Sequence, residues 1–181
     1  KFAYEKGYSY EEFLEIWKIM KNYLPQVYLD ELNGIADGSG LSFDNISILN
    51  IGFFLIVNCG SFTAWGNATI DGKLYHARSS DFSLSVLDPV TGTYIQENQY
   101  LILRKPIDGF ATLAIAIAGE VGCESGINEK GIGIGMLSSW SRNETRNGIE
   151  IGFRVRMVLD NAANDFEAIS IITSNKTLGY N

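Results

Sequence analysis

The sequence has few of the residues that most often build metal sites and catalytic dyads. Among its 181 residues are one histidine, His76, and two cysteines, Cys59 and Cys123. A site built from several histidines is therefore excluded, and a Cys-His or Ser-His-Asp site would have to use His76. The cysteines could form one disulfide, but they lack the spacing of a zinc site and the surroundings of a disulfide framework. His76 lies inside a strand-like pattern, which predicts a partly buried strand histidine.

Basic residues and long apolar runs are scarce as well. The 14 lysines and arginines are outnumbered by 21 aspartates and glutamates, which gives a formal net charge of -7. This balance argues against a nucleic-acid binder that works through bulk electrostatics. The longest apolar run, 49–57, is about half the ~18 residues of a membrane helix and is predicted to be a buried helix. The first residues lack the apolar core of a signal peptide, so we expect any such peptide to be absent or already removed.

The composition is that of a globular domain. Hydrophobic residues make up 46% of the chain and charged residues 19%, and the length allows one domain with a sizeable core. The first part of the chain predicts three helices. Ser9 and Glu12 form a capping-box pattern before the first helix. Pro25 opens the second, which ends at 38–40, and a third apolar segment covers 41–57.

Strand patterns follow these helices, and helical patterns then return. The stretch 61–77 predicts two strands joined near Asp71-Gly72, a dipeptide suited to hairpin turns. Further strand patterns occupy 100–105, 110–119 and 131–137, helical patterns occupy 151–163 and 164–175, and 176–181 predicts the start of another strand. The order of helices, sheet and helices predicts an α+β fold in one domain, which these residues would form only in part.

Cys59, Arg78 and Asp81 are candidate site residues on their spacing alone. If 59–66 and 73–81 pair as a hairpin, the arginine and the aspartate lie near the start of the neighbouring strand. A guanidinium there would favour the thiolate form of the cysteine. The alternative is a surface ion pair beside a buried cysteine. A third possibility needs no histidine, because a cut before Cys59 would give it a free α-amine that could act as its own general base.

Four segments, in the order in which they occur, resemble one enzyme family. The sequence is similar to the N-terminal-nucleophile cysteine hydrolases, specifically the acyl-coenzyme A:6-aminopenicillanic acid acyltransferase-like branch. It is more distantly similar to bile-salt hydrolases, penicillin V acylases and acid ceramidase. The segments are YLDELNGIADGSGLSFDNISILN (28–50), CGSFTAWGNATIDGKLYHARSSDF (59–82), GEVGCESGINEKGIGIG (119–135) and KTLGYN (176–181).

The resemblance implies a fold and a division of the chain. The fold would be part of the family's four-layer αββα sandwich, in which two antiparallel sheets lie between helical layers. Residues 1–58 would form a helical propeptide or small-subunit segment, and 59–181 the N-terminal part of the catalytic core. Because members of the family continue well past this point, the remaining C-terminal part of the same polypeptide is a candidate partner.

The resemblance also implies a role for each site residue. Cys59 would be the nucleophile, exposed when the Asn58–Cys59 bond is cut autocatalytically. Arg78 would lie beside the thiol, and Asp81 would hold the new α-amine. Asn128 falls where bile-salt hydrolases have an oxyanion-hole asparagine, although the residues alone also allow a turn residue before a strand. Cys123 matches no catalytic position and is interpreted as structural.

The function implied by the resemblance is amide hydrolysis or acyl transfer on a small non-peptide amide or an acyl thioester. Cys59 would attack the carbonyl, and water or an amine would take the acyl group from the resulting thioester. This chemistry requires no metal or organic cofactor, and an acyl-coenzyme A would be a substrate. Two alternatives stay open: an inactive fragment or binding protein that keeps the fold, and a papain-like protease with His76 as its base.

Overall fold

A computed structural model describes residues 7–52, 58–139, 142 and 145–178 of the chain. The N-terminal part contains three helices, α1 (Tyr10–Met20), α2 (Gln26–Ser39) and α3 (Phe43–Gly52), with a short 3-10 turn at Lys21–Tyr23. None of the helices in the described ranges is long and apolar enough to cross a membrane.

The ends of these helices follow from their local sequence. The Ser9 hydroxyl accepts a hydrogen bond from the Glu12 N–H at 3.1 Å, and the Ser9 N–H donates to the Glu12 carboxylate at 2.8 Å, which confirms the predicted capping box. Helix α2 ends at Gly40, whose φ of 71° is a left-handed conformation that glycine adopts easily. The third helix was predicted over 41–57, and residues 53–57 of that range lie outside the described part of the chain.

The three helices share a hydrophobic core with later parts of the chain. Helix α1 contributes Phe13, Ile16, Trp17 and Met20 to this core, and the second half of the chain contributes Val121, Ile149, Phe153 and Leu178. All of these side chains are at most 8% exposed. The N-terminal helices and the remainder of the chain therefore bury their apolar surfaces against each other.

A two-stranded hairpin follows the helices. Strand β1 (Asn58–Gly66) pairs antiparallel with β2 (Gly72–Asp81), and Cys59 lies opposite Ser80 in the register. This pairing confirms the predicted hairpin. Gly66 and Gly72 flank the turn with φ values of 58° and 71°, a conformation that glycine adopts without steric cost.

A second antiparallel sheet has four strands in the order β3-β4-β5-β6. The strands are β3 (Gln99–Arg104), β4 (Thr112–Ile117), β5 (Ser125–Asn128) and β6 (Gly133–Gly135). The patterns at 100–105, 110–119 and 131–137 predicted three of them. The fourth, β5, has four residues of which one is glycine and one serine, and so it carries almost no strand signal of its own.

Two further helices complete the described fold, α4 (Ile151–Asn161) and α5 (Asp165–Thr173), as the helical patterns predicted. Of the segment 176–181, Thr177 makes an isolated parallel bridge with Ile149, and residues 179–181 lie outside the described ranges. The chain is thus a mixed α and β structure with antiparallel sheets, consistent with the predicted α+β class.

The four-stranded sheet lies between a helix and the hairpin. On one face, a Cβ at Gly126 would lie 2.8 Å from Leu159 Cδ1 of α4. On the other face, a Cβ at Gly135 would lie 3.2 Å from Arg78 Cδ and 3.3 Å from His76 Cε1. Helix, sheet and hairpin are therefore stacked as three layers, and the absence of side chains at these glycines allows their close approach.

Candidate active site

Cys59 lies at the start of β1, on the face of the hairpin that meets the four-stranded sheet. Side chains alternate between the two faces of a strand, and the register therefore places Cys59 and Ser61 on the same face as Arg78 and Ser80. The thiol is free and half-buried, and it packs against a hydrophobic cluster that includes Met136.

Arg78 joins this thiol to the second sheet. Its Nη2 lies 2.8 Å from Cys59 Sγ, and its Nε donates to the Met136 carbonyl at 2.9 Å. Its Nη1 donates to Ser80 Oγ at 2.7 Å and to the Glu124 carboxylate. Every nitrogen of the guanidinium thus has a partner, and the side chain is only 8% exposed. Three contacts, with Met136, Ser80 and Glu124, hold the guanidinium against the sulfur.

Glu124 neutralises this buried guanidinium. It lies just before β5, its side chain is 3% exposed, and its Oε2 accepts from both Arg78 and Ser80. A buried ion pair of this kind contributes little net stability, but removal of one partner leaves the other charge buried and unpaired. Neither Glu124 nor Ser80 was among the predicted site residues, because the only sequence signal for Glu124 is an acid in a loop rich in glycine and apolar residues.

Asp81 lies beside the bond predicted to be cleaved rather than beside the thiol. The register pairs it with Asn58, at the edge where β1 begins. Because Arg78 and Asp81 are three residues apart in one strand, their side chains point to opposite faces of the hairpin. Asp81 is exposed. The site therefore brings Arg78 to the Cys59 sulfur and Asp81 to the backbone before it.

Asn128, the predicted oxyanion donor, is 4% exposed and ties β5 to the end of α4. Its Nδ2 donates to the carbonyls of Leu159 and Ala162, at 3.0 and 2.8 Å. Its Oδ1 accepts from the backbone N–H groups of Lys130 and Ile132, at 3.1 and 3.0 Å. In this arrangement both amide hydrogens are engaged. The oxyanion role stays a prediction, and the hydrogen bonds favour the alternative interpretation, a residue that shapes the β5–β6 turn.

His76 and Cys123 differ from Cys59 in their surroundings. His76 Nε2 lies 2.8 Å from Ser61 Oγ on an exposed part of the hairpin, whereas the partner of the Cys59 thiol is Arg78. The expectation of a partly buried histidine is thus wrong: one edge of the ring packs over Gly135 of β6, but the residue as a whole is exposed. Cys123 is fully buried, and burial raises the pKa of its thiol to about 12. A thiol in that environment is unreactive near neutral pH.

Besides Glu124, a second buried carboxyl, that of Glu120, is close enough to the pair formed by Arg78 and Glu124 to interact with it electrostatically. Glu120 is 5% exposed, its Oε2 accepts from the Ile117 N–H at 3.1 Å, and burial raises its pKa to about 7. The negative charge of Glu124 raises the pKa of Glu120 further, while the Ile117 hydrogen bond lowers it. Within the described ranges, no group of three His, Cys, Asp or Glu residues has the geometry of a metal site.

Several known proteins resemble this chain over most of its length. An uncharacterized protein of Archaeoglobus fulgidus is 24% identical over 90% of the chain and 30% of its own length. The protein dcd1A of Dictyostelium discoideum is 26% identical over 88% of the chain and 37% of its own length. Acid ceramidase of Rattus norvegicus is 27% identical over 84% of the chain and 42% of its own length. The chain therefore spans less than half the length of each of these relatives.

The family match covers most of the residues that build the site. Residues 71–177 match the sequence profile of the family described as acyl-coenzyme A:6-aminopenicillanic acid acyl-transferase. This range includes Arg78, Asp81, Glu124 and Asn128, and Cys59 lies within the part of the chain before it. Because the match covers more than half of the chain, the chain belongs to the acyl-coenzyme A:6-aminopenicillanic acid acyl-transferase family.

Proposed function

We propose that this chain is the N-terminal part of an amide hydrolase or acyltransferase whose nucleophile is Cys59. The observation that carries the proposal is the Arg78 Nη2 to Cys59 Sγ contact of 2.8 Å, made by a guanidinium that Glu124, Ser80 and the Met136 carbonyl hold in place. A fixed, mostly buried positive charge stabilises a neighbouring thiolate more than a mobile, solvated one would. The thiolate is the reactive form of cysteine.

The proposed reaction follows from the position of that sulfur. Cys59 Sγ attacks the carbonyl carbon of the substrate, a C–S bond forms, and the C–N bond of the amide breaks as the amine leaves with a proton. Water or a second amine then attacks the thioester and releases the sulfur. After cleavage of the chain before Cys59, its α-amine would move the protons, and Asp81 would hold that amine because it lies across from Asn58.

Cleavage at Asn58–Cys59 is part of the same proposal. Cys59 Sγ would attack the Asn58 carbonyl, the peptide C–N bond would break, and the nitrogen would take the thiol proton. Water would then open the thioester and leave a carboxylate on Asn58 and a free α-amine on Cys59. The register supports this step, because it places the junction at the first residue pair of the hairpin, where Asp81 is opposite the scissile bond.

The exposed inner face of the second sheet supports a larger sandwich. Leu101, Leu103, Leu113, Ile115 and Ile127 lie on the face that meets the hairpin, and each is 43–69% exposed. Two strands cannot cover a four-stranded sheet, so within the described part of the chain these five side chains lack a packing layer. We infer that further strands, from the remainder of the polypeptide, continue the hairpin sheet and complete the family's four-layer αββα sandwich.

A thiol-labelling experiment on the full-length protein tests the nucleophile. Iodoacetamide at neutral pH should label Cys59 well before Cys123, and Arg78→Ala should slow the labelling of Cys59. Intact mass of the wild type and of Cys59→Ala tests cleavage, because only the wild type should separate at Asn58–Cys59. Equal labelling of the two cysteines would favour a non-catalytic protein that keeps the fold. Cleavage that persists in Cys59→Ala would point to an external protease.

A further inference from the structure

The loop 118–124 contacts the guanidinium of Arg78 directly through Glu124. The loop joins β4 to β5, and Glu120, Val121, Cys123 and Glu124 within it are all at most 5% exposed. Its last residue, Glu124, pairs with Arg78 through the carboxylate. The Glu124 carbonyl also accepts from the Met136 N–H at 3.0 Å, and the Met136 carbonyl is the acceptor of Arg78 Nε. Two of the groups that hold the guanidinium, the Glu124 carboxylate and the Met136 carbonyl, are therefore attached to this loop, while Ser80 of β2 is a third.

Asn50, in α3, binds the middle of the same loop. Its Oδ1 accepts from the Val121 N–H at 2.7 Å, and its Nδ2 donates to the Gly119 carbonyl at 2.9 Å. Its Nδ2 also donates to the Ile46 carbonyl of its own helix at 2.9 Å, and the side chain is 1% exposed. The amide thus satisfies one donor and one acceptor of the loop backbone, as a neighbouring strand would.

The loop packs closely against α3 at Gly119. Gly119 has a φ of 91°, and a Cβ there would lie 2.6 Å from Leu49 Cδ2. The other side of the loop is held by α4, because Cys123 N–H donates to the Gly152 carbonyl at 3.2 Å and Arg156 Nη1 donates to the Val121 carbonyl at 2.7 Å. The loop is therefore held by hydrogen bonds from both α3 and α4, and on the α3 side Asn50 makes them.

We propose that Asn50 is a positioning residue for Cys59. It acts through loop 118–124, which carries Glu124 and through it keeps Arg78 against the sulfur. This inference rests on the proposed function of Cys59 as a nucleophile. Asn50 also lies eight positions before Asn58 in the chain. The same amide therefore connects the segment that precedes the proposed cleavage site to the loop that sets the thiol environment.

The test uses the full-length protein and the rate constant for alkylation of Cys59 by iodoacetamide at pH 7, with the labelled site located by peptide mass. Asn50→Ala removes both side-chain hydrogen bonds to the loop. Asn50→Asp keeps an acceptor for the Val121 N–H but places an oxygen against the Gly119 carbonyl. The matched control is Ser47→Ala, which removes another buried polar group of α3, one whose hydroxyl donates to the Phe43 carbonyl of the same helix.

We expect each Asn50 variant to lower the alkylation rate constant about fivefold, which corresponds to about 1 kcal/mol of activation free energy. Ser47→Ala should lower the melting temperature and leave the rate constant within about twofold of the wild type. If Asn50→Ala does not fold, Asn50→Asp decides the question. Rate constants that are unchanged or raised in the Asn50 variants, or lowered equally in Ser47→Ala, would overturn the proposal.

Arg78→Ala in the same assay separates this inference from the proposed function. If Arg78→Ala reacts as fast as the wild type, the guanidinium does not activate the thiol, and both proposals fail. If Arg78→Ala reacts more slowly while both folded Asn50 variants match the wild type, Cys59 keeps its proposed role and only the positioning role of Asn50 is refuted.

Discussion

Replacing Arg78 with methionine removes the guanidinium that joins Cys59 to Glu124 and keeps an unbranched side chain of similar length. The structure predicts two separate consequences. The Glu124 carboxylate, 3% exposed, loses its counter-charge, and breaking a buried pair in this way typically costs about 3–5 kcal/mol of unfolding free energy. The Cys59 thiol loses the donor at 2.8 Å, which should slow its alkylation about tenfold or more.

A second substitution, Glu124→Gln, separates these consequences. In the Arg78→Met background it removes the unpaired carboxylate, so we expect it to restore about 2 kcal/mol of the lost stability. It restores no positive charge beside the sulfur, so the alkylation of Cys59 should stay slow. Stability is measured by urea denaturation of the wild type, both single variants and the double variant. Glu129→Gln, on the exposed β5–β6 turn, is the matched acid-to-amide control.

The free energies of the four proteins form a double-mutant cycle. If the effects of Arg78→Met and Glu124→Gln on unfolding are additive within about 0.5 kcal/mol, the two side chains are not energetically coupled, and the stability lost in Arg78→Met does not come from an unpaired Glu124 carboxylate. If the double variant regains wild-type alkylation together with its stability, slow alkylation reflects unfolding rather than loss of the guanidinium.

Three further outcomes are expected. Asn128→Ala should lower the free energy of unfolding by about 2–4 kcal/mol, measured with urea, because four hydrogen bonds at the end of α4 and the β5–β6 turn are lost; a loss below about 0.5 kcal/mol would contradict that role. Cys123 should react with iodoacetamide only under denaturing conditions, and labelling in the native protein would show that its burial is wrong. Burial raises the pKa of Glu120 from 4.5 to about 7, so the folded state binds more protons than the unfolded state in that interval, and stability should fall as the pH rises through it. Urea titrations at pH 5 and pH 8 should show a fall of about 2.5 kcal/mol from this group in the wild type, and Glu120→Gln should remove it.

Local rules predicted most of the secondary structure and one of the site contacts. The capping box at Ser9, the hairpin around Asp71-Gly72 and the two helices after residue 150 depend on neighbouring residues, which a sequence displays directly. The hairpin register also brings Arg78 within reach of Cys59. Strand alternation could have shown in addition that Asp81, three residues from Arg78, faces the other side.

The remaining parts of the site depend on how the layers stack. Glu124 meets Arg78 across 46 residues of sequence, and the contact exists only because β5 and β6 lie under the hairpin. The contacts of Asn128 with the end of α4 depend on the same stacking, since they cross from the sheet to a helix about 30 residues later. A pattern of single residues carries no information on contacts between layers. The sequence therefore indicated Cys59 and Arg78 but not Glu124, which holds Arg78 in place.

The N-terminal helices are joined to the rest of the fold by buried and partly buried polar contacts that a cut at Asn58–Cys59 would not break. Tyr28 donates to the Asp160 carboxylate at 2.9 Å, and Arg156 makes two hydrogen bonds to Glu31, at 3.2 and 2.9 Å. These polar contacts border the hydrophobic core that both parts share. The proposed cleavage would therefore divide one packed unit rather than release a separate domain. Since Asn50 belongs to that unit, the segment before the cut would keep its contact with loop 118–124 after the α-amine of Cys59 is free.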